Sequence, residues 1–174
     1  MSILISEEDF DLSVEVARLR TGHPEVGAVV AFVGTVRDMN DGVHVAEMTL
    51  EHYPGMTEKS IQAIVDQAHA RWSLFGTRVI HRIGPLAPQA QIVLVAVTAA
   101  HRGEAFAACE FIMDYLKTEA PFWKKEQTPD GARWVDARMT DDRALEKWKR
   151  AQPVATSGAD ETGLRSRSSA PGKQ

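Results

Sequence analysis

The chain has 174 residues, of which 44% are hydrophobic, a formal net charge of −4 at pH 7 and a single cysteine. This length and composition suit one globular domain with a sizeable core. The charge excludes a global basic field for nucleic acid, and one cysteine excludes a disulfide framework or a cysteine-based metal site. Neither a signal peptide nor an apolar run of membrane-spanning length is visible, so we expect a cytoplasmic protein without membrane association.

The first part of the chain predicts short strands and one brief helix. Residues 2–6 predict a strand, and residues 13–20 predict the helix. Residues 27–37 form a continuous β-branched and aromatic run, which is typical of a strand buried on both faces. Asp41-Gly42 predicts a turn, after which residues 43–53 predict a further strand.

Two long helices are predicted in the middle of the chain. Thr57 is the expected N-cap of the first helix, which Gly76 should end. Residues 77–83 and 91–100 predict two strands, and His101-Arg102-Gly103 opens the second helix. The residues expected in the core, by helical spacing, are Ile61, Ile64, Val65, Ala68 and Trp72 in the first helix and Phe106, Cys109, Met113 and Leu116 in the second.

The second helix should stop at Pro121, which has no N–H and whose ring clashes with the preceding turn. We expect a cationic loop after this proline, followed by a short strand at residues 134–135 and a polar helix at residues 141–150. Residues 151–174 are rich in Ser, Gly, Pro and charge without aromatics, which predicts a disordered C-terminal tail after a single domain of residues 1–150. The order of elements indicates an α+β fold with a mixed, mainly antiparallel sheet.

Cationic side chains lie at the ends of several predicted elements, where functional sites are common. They are Arg37 after the buried strand, His101 and Arg102 at a helix N-terminus, and Lys117, Lys124 and Lys125 at the far end of that helix and beyond it. Free N–H groups at a helix N-terminus attract anions, and a lysine near other cations can act as acid, base or nucleophile. Together the cluster predicts a small anionic substrate such as a phosphate ester.

Each of these side chains also has a simpler interpretation. The lysines can be solvated surface residues around a helix end. His101 can be a capping or packing residue, and Arg37 can form a turn-facing salt bridge with Asp38. Cys109 lies on the core stripe of its helix, where a thiol is usually inert packing.

Several standard chemistries are missing from the sequence. No Walker-type phosphate loop and no G-x-S-x-G nucleophile elbow occur. His52, His69 and His81 show no ligand spacing with carboxylates, so we expect neither a metal nor another bound cofactor.

Five segments resemble the large, catalytic subunit of molybdopterin synthase. They are GTVRD at 34–38, LEHYPGMTEK at 50–59, VIHRIG at 79–84, TAAHR at 98–102 and FIMDYLKTEAPFWKKE at 111–126. The resemblance runs from about residue 27 to residue 148. It implies a cytoplasmic protein with an α/β hammerhead fold, and a homodimer that carries a small ubiquitin-like subunit at each end, making a heterotetramer.

The same resemblance implies a sulfurtransferase. Cyclic pyranopterin monophosphate would be converted to molybdopterin by two sulfurs, delivered as a thiocarboxylate on the C-terminal Gly-Gly of the small subunit. Lys117 and Lys124 would be catalytic. The implied substrate-binding residues are Thr35 and Val36 through their backbone, Arg37, His101, Arg102, Lys117, Lys124, Lys125, Glu126 and, from the partner subunit, Arg138. The competing hypothesis is a non-enzymatic module whose cationic pocket only binds the acidic C-terminal tail of a ubiquitin-like carrier.

Overall fold

A computed structural model describes residues 2–135 and 145–148, in which strands form two four-stranded sheets and one two-stranded sheet. The strands are β1 (Ile3–Ser6), β2 (Ala28–Thr35), β3 (Met39–Asn40), β4 (Val43–His44), β5 (Glu47–His52), β6 (Leu74–Arg82), β7 (Gly84–Leu86), β8 (Gln91–Ala99), β9 (Phe122–Thr128) and β10 (Gly131–Val135). The helices are α1 (Leu12–Arg20), α2 (Met56–Arg71) and α3 (Arg102–Glu119). Residues 145–148 are also helical.

The two large sheets differ in their pairing. The first has the order β1-β6-β8-β2, in which β1 runs parallel to β6 and the other pairs are antiparallel. The second has the order β10-β9-β5-β7 and is antiparallel throughout. The α+β class with a mixed, mainly antiparallel sheet is therefore confirmed.

Helices α2 and α3 form the main core with the first sheet. The predicted stripe of α2 is buried from Ile61 to Ala68. Phe111 of α3 packs edge-on against the rings of Trp72 and Trp148, at centroid distances of 5.4 and 5.3 Å. Phe106 was expected in this core and is 62% exposed instead. At about 100° per residue, Phe106 lies just outside the buried arc of α3.

Three further expectations about local structure are corrected. Strand β2 is not buried on both faces, because none of its residues is fully buried and Phe32 is 41% exposed. Helix α2 begins after Gly55, whose φ is 79°, so Thr57 lies in the first turn rather than at the N-cap. The helix ends at Arg71, well before Gly76, because Trp72 is already extended.

The largest correction concerns the residues after Pro121. Helix α3 does end at Glu119, and Ala120 is extended as expected before a proline. The chain then forms strand β9, paired with β5 on one side and β10 on the other, rather than a cationic loop. Strand β10 is longer than the predicted residues 134–135 and pairs with β9 of the same chain.

The structure describes only part of the C-terminal region, so it tests only some of the predictions made there. Residues 145–148 are helical, as predicted. The rest of the predicted helix at 141–150 and the predicted tail at 151–174 lie outside the described residues. Within the described parts, none of the helices combines the length and the hydropathy that crossing a lipid bilayer requires.

Candidate functional site

A cavity of about 620 Å³ lies between the two large sheets, beside the C-terminal end of α3. This volume is typical of a site for a small molecule. Its walls come from both sheets: β2, β6 and β8 of the first, and β5, β9 and β10 of the second. The last turns of α3 close one side with Met113 and Leu116. The cavity therefore lies where many separate segments of the chain meet.

Five of the residues expected in a substrate site line this cavity. They are Thr35, Arg37, Lys117, Lys124 and Glu126. Thr35 ends β2, and Lys117 lies in the last turn of α3. Pro121 then ends the helix, and β9 passes the same cavity with alternate side chains directed into it, so that Lys124 and Glu126 share a face.

The cavity is cationic although the chain as a whole is acidic. Arg37, Lys117 and Lys124 line it, against a single carboxylate from Glu126 among the described lining residues. That carboxylate is already paired, because Arg133 contacts Glu126 Oε2 at 3.0 Å. The cavity therefore has an excess of positive charge in a protein whose net charge is −4, which favours an anionic ligand.

Glu126 is the centre of a buried polar network that the sequence did not reveal. Its side chain is almost fully buried, and Oε1 accepts a hydrogen bond from Asn40 Nδ2 at 2.7 Å. Asn40 in turn accepts from Arg37 Nη2 through Oδ1 at 3.3 Å. Arg133 donates to Glu126 from Nε and Nη2, at 3.2 and 3.0 Å. Asn40 thus links the position of Arg37 to that of the buried carboxylate.

His81 is a second unexpected lining residue. It lies on β6, is 6% exposed, and its ring stacks on Phe122 with centroids 3.7 Å apart. The pKa of His81 is lowered to about 4, mainly by burial and to a smaller extent by the positive charge of Lys124, against the opposing effect of the hydrogen bond to the Arg82 carbonyl. The imidazole is therefore neutral near pH 7.

Two of the expected residues lie beside the cavity rather than in it. The side chain of Val36 is buried, and its N–H donates to the Ala90 carbonyl at 2.9 Å. Lys125 lies on the opposite face of β9, with Nζ 5.5 Å from the centre of the Trp134 ring. The alternation of side chains along a strand explains why Lys125 and its neighbour Lys124 point to opposite sides.

The remaining expected residues are far from the cavity or outside the described chain. His101 is the N-cap of α3, and Arg102 is its first residue. Lys117 follows Arg102 by fifteen residues of the same helix, which corresponds to about 22 Å along the axis at 1.5 Å per residue. Neither His101 nor Arg102 lines the cavity of its own chain, whereas Lys117 does. Arg138 lies outside the described residues.

Cys109 does not belong to the cavity. It is buried on α3, and its Sγ contacts the carbonyl oxygen of Val95 at 3.6 Å. Burial raises the pKa of the thiol to about 11. The thiolate is the reactive form of cysteine, so this residue is a packing group rather than a nucleophile.

A second cavity, of about 740 Å³, lies between α1, α2 and β6. Its charged groups already have partners: Glu15 contacts both Arg18 and Arg78 at 2.7 Å, and Asp66 accepts a hydrogen bond from Gln62 at 2.7 Å. His69 Nε2 lies 2.9 Å from the hydroxyl of Thr77. These contacts fix α1 and α2 against the sheet, and the cationic cavity is the better candidate for a site.

In the parts of the chain that are described, no three His, Cys, Asp or Glu side chains are grouped to hold a metal ion.

Asn40, His81 and Arg133 are the polar residues of the site that were not predicted from the sequence. The signal for Arg133 was available, since a two-residue turn at Pro129-Asp130 would have paired Arg133 with Glu126 across a hairpin.

Comparison with known proteins gives a consistent result. The family model "MoaE protein" matches residues 5–119. The molybdopterin synthase catalytic subunit of Ralstonia nicotianae is 67% identical over 147 residues, covering 84% of each chain. The structure of the molybdopterin biosynthesis MoaE protein from Burkholderia ambifaria MC40-6 is 59% identical, with a TM-score of 0.74 over 85% of this chain and 97% of that one. A complex of subunits 1 and 2 of molybdopterin-converting factor from Helicobacter pylori 26695 shares the fold, with a TM-score of 0.66 at 16% identity over 79% of this chain and 92% of that one. This chain therefore belongs to the MoaE protein family.

Proposed function

We propose that this chain is the catalytic subunit of a molybdopterin synthase, a cytoplasmic sulfurtransferase that converts cyclic pyranopterin monophosphate to molybdopterin. The observation that carries the proposal is the convergence of Arg37, Lys117 and Lys124 on one cavity of suitable size. Close relatives bear the name of this enzyme subunit, as the Ralstonia nicotianae protein does. An excess of cations suits a substrate that carries a phosphate.

The sulfur must come from outside this chain. Cys109 is buried away from the cavity and its pKa is raised, so it is not a sulfur carrier. A thiocarboxylate at the C-terminus of a small ubiquitin-like subunit is the proposed donor. The Helicobacter pylori structure is described as a complex of two subunits of molybdopterin-converting factor, which agrees with such a partner.

The proposed roles follow from the positions of the charges. The thiocarboxylate sulfur attacks a carbon of the pterin side chain, so that a C–S bond forms as the C–O bond from that carbon to the cyclic phosphate breaks. Water then cleaves the acyl–S bond and releases the carrier as a carboxylate, and Lys117 stabilises the developing oxyanion or moves a proton. Lys124 supports the charge of the cyclic phosphate as it opens. Arg37, held by Asn40 at 3.3 Å, orients the anion, so that much of the rate comes from orientation.

A homodimer would explain the residues at the far end of α3. His101 and Arg102 lie about 24 and 22 Å from Lys117 along the helix of their own chain, at 1.5 Å per residue. We propose that they bind the substrate phosphate in the cavity of a second copy, and that Arg138 also acts across the dimer. Two copies in symmetric contact give each site the same residues from its neighbour.

A single-turnover assay tests the enzymatic proposal. Purified protein, thiocarboxylated carrier and cyclic pyranopterin monophosphate should yield molybdopterin. The competing function, a module that only binds the acidic carrier tail, predicts carrier binding with an unchanged pterin. That second result, obtained with folded protein and verified thiocarboxylate, would overturn the proposed activity.

Subunit exchange tests the shared site. Lys117→Ala and Arg102→Ala proteins should each be inactive, and after random exchange half of the dimers are mixed. Each mixed dimer has one site with both residues intact, so about a quarter of all sites should recover. Lys117→Ala mixed with Arg138→Ala gives the same test for that residue. Activity that stays at the level of the parents, with exchange verified by mass, would exclude a shared site.

The domain boundary is also a proposal. Residues 1–150 would be the catalytic domain, and residues 151–174 a disordered tail without an apolar pattern to bury. Deletion of the tail should leave turnover and melting temperature unchanged. A large drop in melting temperature would show that the tail packs on the domain.

A further inference from the structure

His81 places a hydrogen-bond acceptor in a cavity dominated by donors. Its Nδ1 lies 2.8 Å from the carbonyl oxygen of Arg82. A carbonyl oxygen can only accept, so Nδ1 carries the proton in this contact. In a neutral imidazole the other ring nitrogen, Nε2, then has a free lone pair. The main chain of β6 therefore fixes the tautomer of this side chain.

Nε2 is open to the cavity. Within the described residues, the side chain of His81 makes one hydrogen bond, the contact of Nδ1 with the Arg82 carbonyl. No buried side-chain nitrogen or oxygen in those residues lacks a hydrogen-bond partner, so Nε2 must be accessible to solvent. His81 is 6% exposed and lines the cavity, which is where solvent meets its ring.

The ring is held rigidly in this orientation. Phe122 covers one face, with centroids 3.7 Å apart and planes inclined by 15°. Together the stack and the Nδ1 hydrogen bond fix both the plane of the ring and its rotation within that plane. An acceptor fixed in this way loses little entropy when a ligand donates to it.

The charged groups of the cavity have different roles from that of His81. Arg37, Lys117 and Lys124 are donors. Glu126 is an acceptor, but it already accepts from Asn40 and from Arg133. His81 therefore adds to the site an acceptor that carries no charge.

We propose that His81 is a further substrate-binding residue, whose Nε2 accepts a hydrogen bond from an N–H group of the pterin ring while the cations bind the phosphate. This inference rests on the proposed function. It assigns the β6 side of the cavity to the heterocycle, next to the flat His81–Phe122 pair. The burial that lowers the pKa to about 4 makes His81 a poor proton acceptor at neutral pH, so its role is binding and not general base catalysis.

The first test separates binding of the pterin from turnover. His81→Phe keeps an aromatic ring against Phe122 and removes both nitrogens, whereas His81→Gln restores an acceptor close to the position of Nε2. We expect His81→Phe to raise KM for cyclic pyranopterin monophosphate about 10-fold, the factor that corresponds to one hydrogen bond. The Kd for the carrier should change less than about 2-fold, and His81→Gln should recover part of the KM. His52→Gln, a neighbouring histidine that does not line the cavity, is the matched control.

Several outcomes would overturn the inference. One is a wild-type KM in folded His81→Phe, and another is an equal loss in both variants, which would indicate a purely structural role. If wild-type protein itself gives no turnover, the proposed function fails. If wild-type protein is active and His81→Phe matches it, only the role of His81 fails.

A second measurement does not depend on the variants folding. In wild-type protein with ¹⁵N-labelled histidine, NMR should show His81 protonated at Nδ1 and not at Nε2 between pH 5.5 and 8. Addition of cyclic pyranopterin monophosphate without carrier should shift the Nε2 resonance and leave Nδ1 nearly unchanged. A protonated Nε2, or an Nε2 resonance that does not move at saturating substrate, would refute the proposal.

Discussion

Asn40→Ala is the substitution whose effect the structure predicts in most detail. Asn40 is 6% exposed and lies in the β3–β4 hairpin, from which Nδ2 donates to Glu126 at 2.7 Å. Alanine removes this donor from a carboxylate that is only 1% exposed. It also removes the oxygen that accepts from Arg37. Arg133 still contacts Glu126 and the main-chain oxygen of residue 40, so the hairpin keeps one attachment.

The magnitude follows from the burial of the two groups. A hydrogen bond to a charged partner contributes about 1.5–3 kcal/mol, and leaving the carboxylate less satisfied puts this case toward the upper end. The 3.3 Å contact with exposed Arg37 adds little. We therefore expect Asn40→Ala to lower the free energy of unfolding by about 2–3 kcal/mol, which corresponds to a fall of roughly 4–12 °C in Tm for a domain of this size.

Urea denaturation of four proteins tests the prediction: wild type, Asn40→Ala, Glu126→Gln and the double variant. The loss of unfolding free energy in the double variant should be smaller than the sum of the losses in the two single variants, by at least about 1 kcal/mol. Met39→Ala is the matched control, because Met39 precedes Asn40 in the same strand and is 47% exposed. Additivity within about 0.5 kcal/mol would refute the claim that the Asn40–Glu126 contact carries the stability.

Three further predictions concern lysine, cysteine and histidine side chains. Lys117→Ala should lose most turnover at a nearly unchanged Tm, because the Lys117 side chain is exposed. Lys59→Ala, at another exposed lysine, is the matched control. Full activity of Lys117→Ala at wild-type carrier occupancy would contradict the catalytic role. Cys109→Ala should keep its turnover and lose about 1 kcal/mol of stability from the core, whereas a folded but inactive variant would show that the sulfur does not come only from the carrier. The folded-state pKa of His81, about 4, is below its unfolded value of 6.5, so the unfolded chain binds more protons between these values. The contribution of neutral His81 to the free energy of unfolding should be fully present above pH 6.5 and should fall by about 3 kcal/mol as the pH drops to 4. In urea titrations His81→Phe should lack this contribution. The same pH dependence in both proteins would be incompatible with a buried neutral His81.

Much of the fold could be predicted from local pattern. The apolar stripe of α2 and the stop at Pro121 are properties of a few adjacent residues, and both are confirmed. Strand β9 could not be recognised in this way. Its sequence lacks an apolar alternation, because its inner face lines a polar cavity instead of the core. The order of strands in the sheets depends on contacts distant in sequence, and local pattern does not encode them.

The candidate site was predictable only in part, for a related reason. The resemblance identified Arg37, Lys117 and Lys124, and the structure brings all three to one cavity. Asn40 precedes Asp41-Gly42, where an asparagine is usually interpreted as a turn residue. Its contact with Glu126 joins positions 86 residues apart, and no spacing rule indicates it.

The alternation of side chains along β9 restricts what insertions and deletions the chain can accept. Phe122 and Lys124 face the cavity, whereas Trp123 and Lys125 face away from it. A single residue gained or lost after Pro121 would exchange the two sets, because successive side chains of a strand point to opposite sides. After a deletion a lysine would still face the cavity, but a tryptophan would take the place of Phe122 against His81, and Gln127 would replace the buried carboxylate. After an insertion Trp123 would take the place of Lys124, and Lys125 would replace the carboxylate. The number of residues in this strand is therefore constrained more strictly than the identity of the residues on its outer face.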